Sequence, residues 1–266
     1  MDHLMVGLEP TEVSALEDAL HRALEHDEFA LLFQPFVNLG TGVVQGYEAL
    51  IRWGRPGQAI VQPGAFLPVA QTSDLICEID AWVLRTAISC LARWQSKGIR
   101  NRILSINLGG RHIAQPRVVA DVHLALAASG VHPERLLVEV AETVLSHDPG
   151  SRSHLEALRD LGVAVCLDDF GTAVDSAAKL ADLPIDIVKI DPSYLDLSSE
   201  YTRGRLRDLV QVPQRLGLPV VIEGVESEAQ LDFIRELGCE WAQGFHIAMA
   251  TTPMDVETWE LSWQTR

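Results

Sequence analysis

Eight polar residues stand where an apolar strand pattern does not call for them. Glu48 follows Gly46 and Tyr47, Asn107 follows Ile106, and Glu139 follows Val138. Asp168 and Asp169 follow Leu167, Lys189 follows Val188, Glu223 follows Ile222, and Gln243 follows Ala242. Five of the eight are carboxylic acids and one is a lysine. Gathered in one pocket, the carboxylates would repel one another and lose hydration. Divalent cations remove that conflict. Carboxylate and amide oxygens, without Cys or His, suit a hard ion such as Mg²⁺ or Mn²⁺. Adjacent Asp168 and Asp169 suit a bridged pair of ions; two ions about 4 Å apart can activate water and stabilise in-line displacement at phosphorus. Lys189 would orient the attacking water or offset developing charge. For any single acid, a loop hydrogen bond at a strand end is the simpler explanation. For the whole set together it is not.

These residues lie far apart in the chain, so a fold must bring them together. Strand-like runs occupy 29–37 and 43–53, joined by a turn at 40–42, which reads as a hairpin. Further apolar runs follow at 103–108, 136–140, 163–167, 187–190, 220–222 and 241–244. Helical periodicity covers 11–26, 80–97, 117–129, 151–161, 203–216 and 228–237. Several of these helices stop at a glycine: Gly98, Gly130, Gly162, Gly217 and Gly238. Strands alternating with helices predict a parallel sheet covered by helices. About eight strands at ~30 residues per unit is the size of a closed α/β barrel, and such a barrel places all strand carboxyl ends on one face. That face would collect the polar residues. Residues 54–68 are Gly- and Pro-rich and read as a long loop.

Composition narrows the function. A formal net charge of −16 disfavours binding to a nucleic acid polymer, although bound metal ions would still admit a small anionic ligand. No apolar stretch approaches the ~18 residues of a membrane span, and residues 1–10 carry no basic leader pattern. Cys77, Cys90, Cys166 and Cys239 form no CxxC pair and read as buried free thiols, which suits a cytoplasmic setting. Nine histidines include no HExxH and no HxH. Trp82, Trp94, Trp259 and Trp263 read as core or interface anchors.

Glu48-Ala49-Leu50-Ile51-Arg52 is an ExLxR motif, preceded by Gln34-Pro35. It continues with Asn107, Glu139 to Glu142, Asp168-Asp169-Phe170-Gly171, Asp186 to Asp191, Glu223 to Glu226, and Gln243-Gly244-Phe245. In this order the segments resemble the EAL domain family of bacterial cyclic di-GMP phosphodiesterases over roughly residues 15–255. The division is then an extension at 1–14, an EAL domain at 15–255 and a tail at 256–266. The resemblance implies a TIM-like (β/α)8 barrel whose first strand is antiparallel. It implies hydrolysis of cyclic di-GMP to linear pGpG with two Mg²⁺ or Mn²⁺ ions. Glu48, Asn107, Glu139 and Asp168 would hold one ion, Asp168 and Asp169 the second, and Glu223 would contact metal directly or through water. Glu223 or a metal-bound hydroxide would act as general base. Lys189 would hold the water, supported by Gln243. Gln34, Leu50 and Arg52 would contact substrate, and Glu142 would support the loop after Asp169. A homodimer or a regulatory partner is a further implication.

The chain departs from the family at residues 173–177. Relatives read Gly-(Tyr/Phe)-Ser-Ser-Leu there; this chain reads Ala-Val-Asp-Ser-Ala. Gly109 replaces a Ser, Gln71 replaces a Glu, and the basic residue before the late Pro is absent. The alternative is a cyclic di-GMP sensor domain with weak or no turnover. A structural regulator that binds neither metal nor nucleotide is disfavoured by the complete ligand set. An enolase-type barrel is disfavoured because about 28 residues precede the first strand, too few for its capping domain.

Overall fold

A computed structural model describes residues 9–55, 57, 59–145, 149–172 and 180–263. The departure at residues 173–177 lies outside them. Eight strands close into a barrel in sequence order. They are β1 (Phe29–Asn38), β2 (Val44–Trp53), β3 (Ile103–Asn107), β4 (Leu136–Ala141), β5 (Ala164–Phe170), β6 (Ile187–Ile190), β7 (Val220–Ile222) and β8 (Trp241–Gln243). β1 runs antiparallel to both β2 and β8, and the other neighbouring pairs are parallel. The hairpin turn has a local cause. Asn38 Oδ1 accepts from the backbone N–H of Gly40 (3.0 Å) and Thr41 (2.9 Å), and Gly42 takes φ +67°.

The outward faces of the strands pack against the surrounding helices. Phe33 meets Trp94 with ring centroids 4.8 Å apart, and Phe29, Trp53 and Phe66 form a second aromatic group. Within the barrel, Leu137, Cys166, Ile187 and Val221 form a separate buried cluster with Trp241 against it. Each lies two residues before Glu139, Asp168, Lys189, Glu223 and Gln243 respectively. Side chains two apart on a strand share a face, so an apolar plug in the barrel sets a polar layer directly above it.

Several helices differ from the sequence expectation: short turns form at Pro63–Ala65 and Leu67–Ala70 where 54–68 reads as a loop, and two longer helices differ in their bounds or existence. The helix expected at 80–97 runs Leu75–Ser96. Asp80, the first residue of that expected range, is buried within the helix and accepts the Gly109 N–H at 2.8 Å. The same contact accounts for the glycine at 109: a Cβ there would come within 2.9 Å of Ile76 Cγ1 and 3.2 Å of Asp80 Oδ2. A helix also forms at Pro253–Trp263, so residue 256 lies inside an element. It packs against the outer side of the β1–β2 hairpin and the helix Leu75–Ser96, where Tyr47 OH donates to Glu260 at 2.7 Å and Trp94 Nε1 donates to the Pro253 carbonyl at 3.0 Å. The four cysteines are unpaired thiols, three of them buried. His112 is fully buried, with Nε2 3.0 Å from Asp121 Oδ2.

Candidate functional site

Lys189 projects from β6 into the polar layer and is almost wholly buried. Its Nζ lies 2.9 Å from Glu139 Oε2, 3.3 Å from Glu48 Oε2 and 3.9 Å from Asp168 Oδ1, and it contacts Glu223 Oε1. Four carboxylates from four strand segments thus converge on one ammonium group. Burial alone would lower the lysine pKa, but Glu139, Glu223, Glu48 and Asp168 outweigh it and hold it well above its usual range.

The acids divide by how well each is supported. Glu48 is raised by burial, yet Lys189 and hydrogen bonds from Gln243 and Asn107 bring it below the ordinary carboxyl value. Asn107 Nδ2 donates to Glu48 Oε1 at 2.8 Å, and Gln243 Nε2 donates to Oε2 at 2.7 Å. Glu139 accepts from Ser105 Oγ, but burial and the charge of Glu48 push it well above the usual range. Burial lifts Glu223 to about 8 and Asp169 to about 6, the latter with added repulsion from Asp168 and Asp191. Asp168 is also raised, chiefly by burial.

The donor set fits a hard divalent cation. All its donors are carboxylate or amide groups, and four acids face one base. Asp168 Oδ1 is buried with no hydrogen-bond partner among the described residues. An anionic oxygen left in that state is costly, and a cation would satisfy it. As placed, the acids converge on the lysine itself, and no three His, Cys, Asp or Glu side chains among the described residues form a ready-made cage.

Glu48 lies within β2, as the strand run at 43–53 expects, and β2 continues five residues beyond it as a hairpin with β1. That extension carries Leu50 and Arg52 on the same face as Glu48. Both lie higher on the hairpin than the lysine cluster, and Arg52 Nη1 donates to the Ile51 carbonyl at 2.8 Å. Gln34 is cross-strand from Glu48; it accepts from Gln243 at 3.2 Å and donates to the Ala248 carbonyl at 3.1 Å.

Asp169, one residue before the end of β5, has φ 56°, a left-handed conformation uncommon outside glycine. The β5–β6 register shifts between Leu167 and Phe170. Beyond it, Gly171 N donates to Glu142 Oε2 at 3.4 Å, and Tyr194 OH donates to the Gly171 carbonyl at 2.5 Å. Sequence reasoning passed over Ser105 and Tyr194 as site residues. Ser105 left a faint signal, a lone hydroxyl within the apolar run of β3; Tyr194 left none, because its contact with Gly171 depends on the tertiary fold.

The sequence model of the EAL domain matches residues 17–250. The oxygen sensor protein DosP of Escherichia coli (strain K12) is 33% identical over 244 residues, covering 91% of this chain and 30% of DosP. The cyclic di-GMP phosphodiesterase NbdA of Pseudomonas aeruginosa is 35% identical over 238 residues, 88% of this chain and 30% of NbdA. The chain therefore spans about a third of the length of the curated relatives it matches. Among solved structures, the PaMucR phosphodiesterase in complex with c-di-GMP superposes with a TM-score of 0.86 at 33% identity, covering 91% of this chain and 99% of that one. The FimX EAL domain of Xanthomonas citri, in complex with c-diGMP, gives 0.82 at 27% identity, covering 91% and 95%. Among the described residues no helix is long and apolar enough to cross a membrane. A closed barrel with one reversed strand, an ExLxR segment at its mouth and a matching sequence model across most of its length place this chain in the EAL domain family.

Proposed function

We propose that this chain is a divalent-cation-dependent phosphodiesterase that hydrolyses cyclic di-GMP to linear pGpG. The observation that carries the reading is the convergence of Glu48, Glu139, Asp168 and Glu223 on buried Lys189, with Asp168 Oδ1 lacking a hydrogen bond among the described residues. Glu48, Asn107, Glu139, Asp168, Asp169 and Glu223 would hold Mg²⁺ or Mn²⁺, two ions per site. When bound, such ions lower the pKa of water and stabilise charge on a phosphodiester in displacement. Lys189 orients the attacking water and balances the anionic layer. Burial lifts Glu223 to about 8, so it holds a proton at neutrality without a cation; a bound cation would restore the carboxylate that a general base requires. Gln243 and Asn107 fix the Glu48 carboxylate. Gln34, Leu50 and Arg52 bind the nucleotide, Arg52 through a phosphate, and Glu142 supports the chain after Asp169.

Incubation with cyclic di-GMP and Mn²⁺, followed by chromatography, should yield pGpG. No product, with Asp168→Asn equally silent, would remove the reading. A second reading, binding with little or no turnover, is favoured by Ala-Val-Asp-Ser-Ala at residues 173–177. Micromolar affinity in Ca²⁺ without turnover in Mg²⁺ or Mn²⁺ would favour it. Under this reading, installing Gly-Tyr-Ser-Ser-Leu at those positions should raise turnover.

A further inference from the structure

The hairpin above Glu48 carries two leucines that the core does not use. The inward residues of β1 and β2 pair in rungs: Gln34 with Glu48, Leu32 with Leu50, and Ala30 with Arg52. The outward residues between them, such as Leu31, Phe33, Ala49 and Ile51, are buried in the main core. Leu32 and Leu50 are only half-buried, and they join neither that core nor the cluster inside the barrel.

Directly opposed strand residues have Cβ atoms about 5 Å apart, so two leucines there make one continuous apolar shelf. The shelf stands one rung, about 7 Å of strand rise, above Glu48 and one rung below Arg52. Such a shelf between an anionic floor and a guanidinium is matched by a ligand of three parts. Its phosphodiester reaches the floor, a flat apolar ring lies on the leucines, and a second anionic group meets Arg52. A nucleotide has these parts, whereas a simple dialkyl phosphate lacks the ring.

We propose that Leu32 is a specificity-determining residue, forming with Leu50 the platform for one purine base of the substrate. The proposal rests on the cyclic dinucleotide reading above and adds to it a residue outside the ExLxR motif. A leucine serving only to stabilise the hairpin would affect folding and leave nucleotide affinity alone.

The test uses the full chain with Leu32→Asn and Leu32→Met. Calorimetry measures cyclic di-GMP binding in Ca²⁺ and, separately, Mn²⁺ binding without nucleotide; thermal midpoints are taken without ligand. Leu32→Asn should weaken cyclic di-GMP by about tenfold, the scale of one lost apolar contact in a binding site. Leu32→Met should recover most of that loss. Mn²⁺ affinity and the ligand-free midpoint should stay near those of the unaltered protein, and any turnover should change in KM more than in kcat. Unchanged cyclic di-GMP affinity in Leu32→Asn, with the unaltered protein binding normally, overturns the platform alone. Parallel loss of Mn²⁺ binding and midpoint also overturns it, in favour of a structural role. Failure of the unaltered protein to bind cyclic di-GMP overturns the substrate reading and the platform with it.

Discussion

The two sides of the polar layer are built differently. On the β2–β4 side, Glu48 receives hydrogen bonds from Asn107, Gln243 and Lys189, and Glu139 receives them from Ser105 and Lys189. On the β5 side, Asp168 keeps a buried oxygen with no hydrogen bond among the described residues, and Asp169 sits in a left-handed conformation where the strand register breaks. The first side is pre-organised by neighbouring strands. The second relies on Glu142 and Tyr194 gripping Gly171 just past the strand end. Affinity for the ligand set should therefore depend mainly on the first side, and turnover on the second.

Removing Lys189 strikes both sides at once. Lys189→Met leaves the buried acids without a counter-charge and should lower stability by about 3–5 kcal/mol, read as a fall in denaturation midpoint in chelator. Mg²⁺ should recover part of it. A midpoint equal to that of the unaltered protein would mean the acids are neutral or hydrated, and the contrast between the sides would lose its basis.

Asp169→Asn separates the sides. Turnover should fall by about 100-fold, while cyclic di-GMP affinity in Ca²⁺ changes little; Glu48→Gln should damage both. Equal losses in the two variants would erase the distinction.

Gly171→Ala probes the grip itself. Gly171 has φ +99°, and an added Cβ would lie 2.9 Å from Leu209 Cδ2. The substitution should cost about 1–3 kcal/mol in thermal or chemical denaturation and should reduce turnover more than binding.

A separate expectation is a pH dependence. Glu223 titrates at about 8 in the folded protein against 4.5 for the free group. Between those values the folded state holds a proton that the unfolded chain has released. The contribution of Glu223 to stability is thus greatest below 4.5 and declines as pH rises to about 8. Denaturant midpoints in chelator should show this decline, and a divalent cation should flatten it. A decline that persists unchanged in Glu223→Gln would place its origin elsewhere.

The barrel was legible because its strands are nearly continuous apolar runs and its helices stop at glycines; Gly130 and Gly162 take the left-handed conformation such stops require. The set of polar residues was legible because each interrupts an apolar run. Their arrangement was not, since spacing along the chain says nothing of distance across a barrel. The helix Leu75–Ser96 starts five residues before its expected bound, and Asp80 lies buried inside it with the Gly109 N–H as its partner, a contact that spacing along the chain does not show. The helix Pro253–Trp263 gave little periodic signal; its anchors Trp259 and Trp263 stack on each other at 5.2 Å, and its acid Glu260 is buried against Tyr47 and Arg102.

The most direct test of the central claim is cyclic di-GMP turnover across a Mn²⁺ titration, in the unaltered protein and in Asp168→Asn. The account predicts pGpG formation that rises with Mn²⁺, stops with chelator and is absent in Asp168→Asn. Turnover indifferent to chelator, or equal in the two proteins, would contradict it.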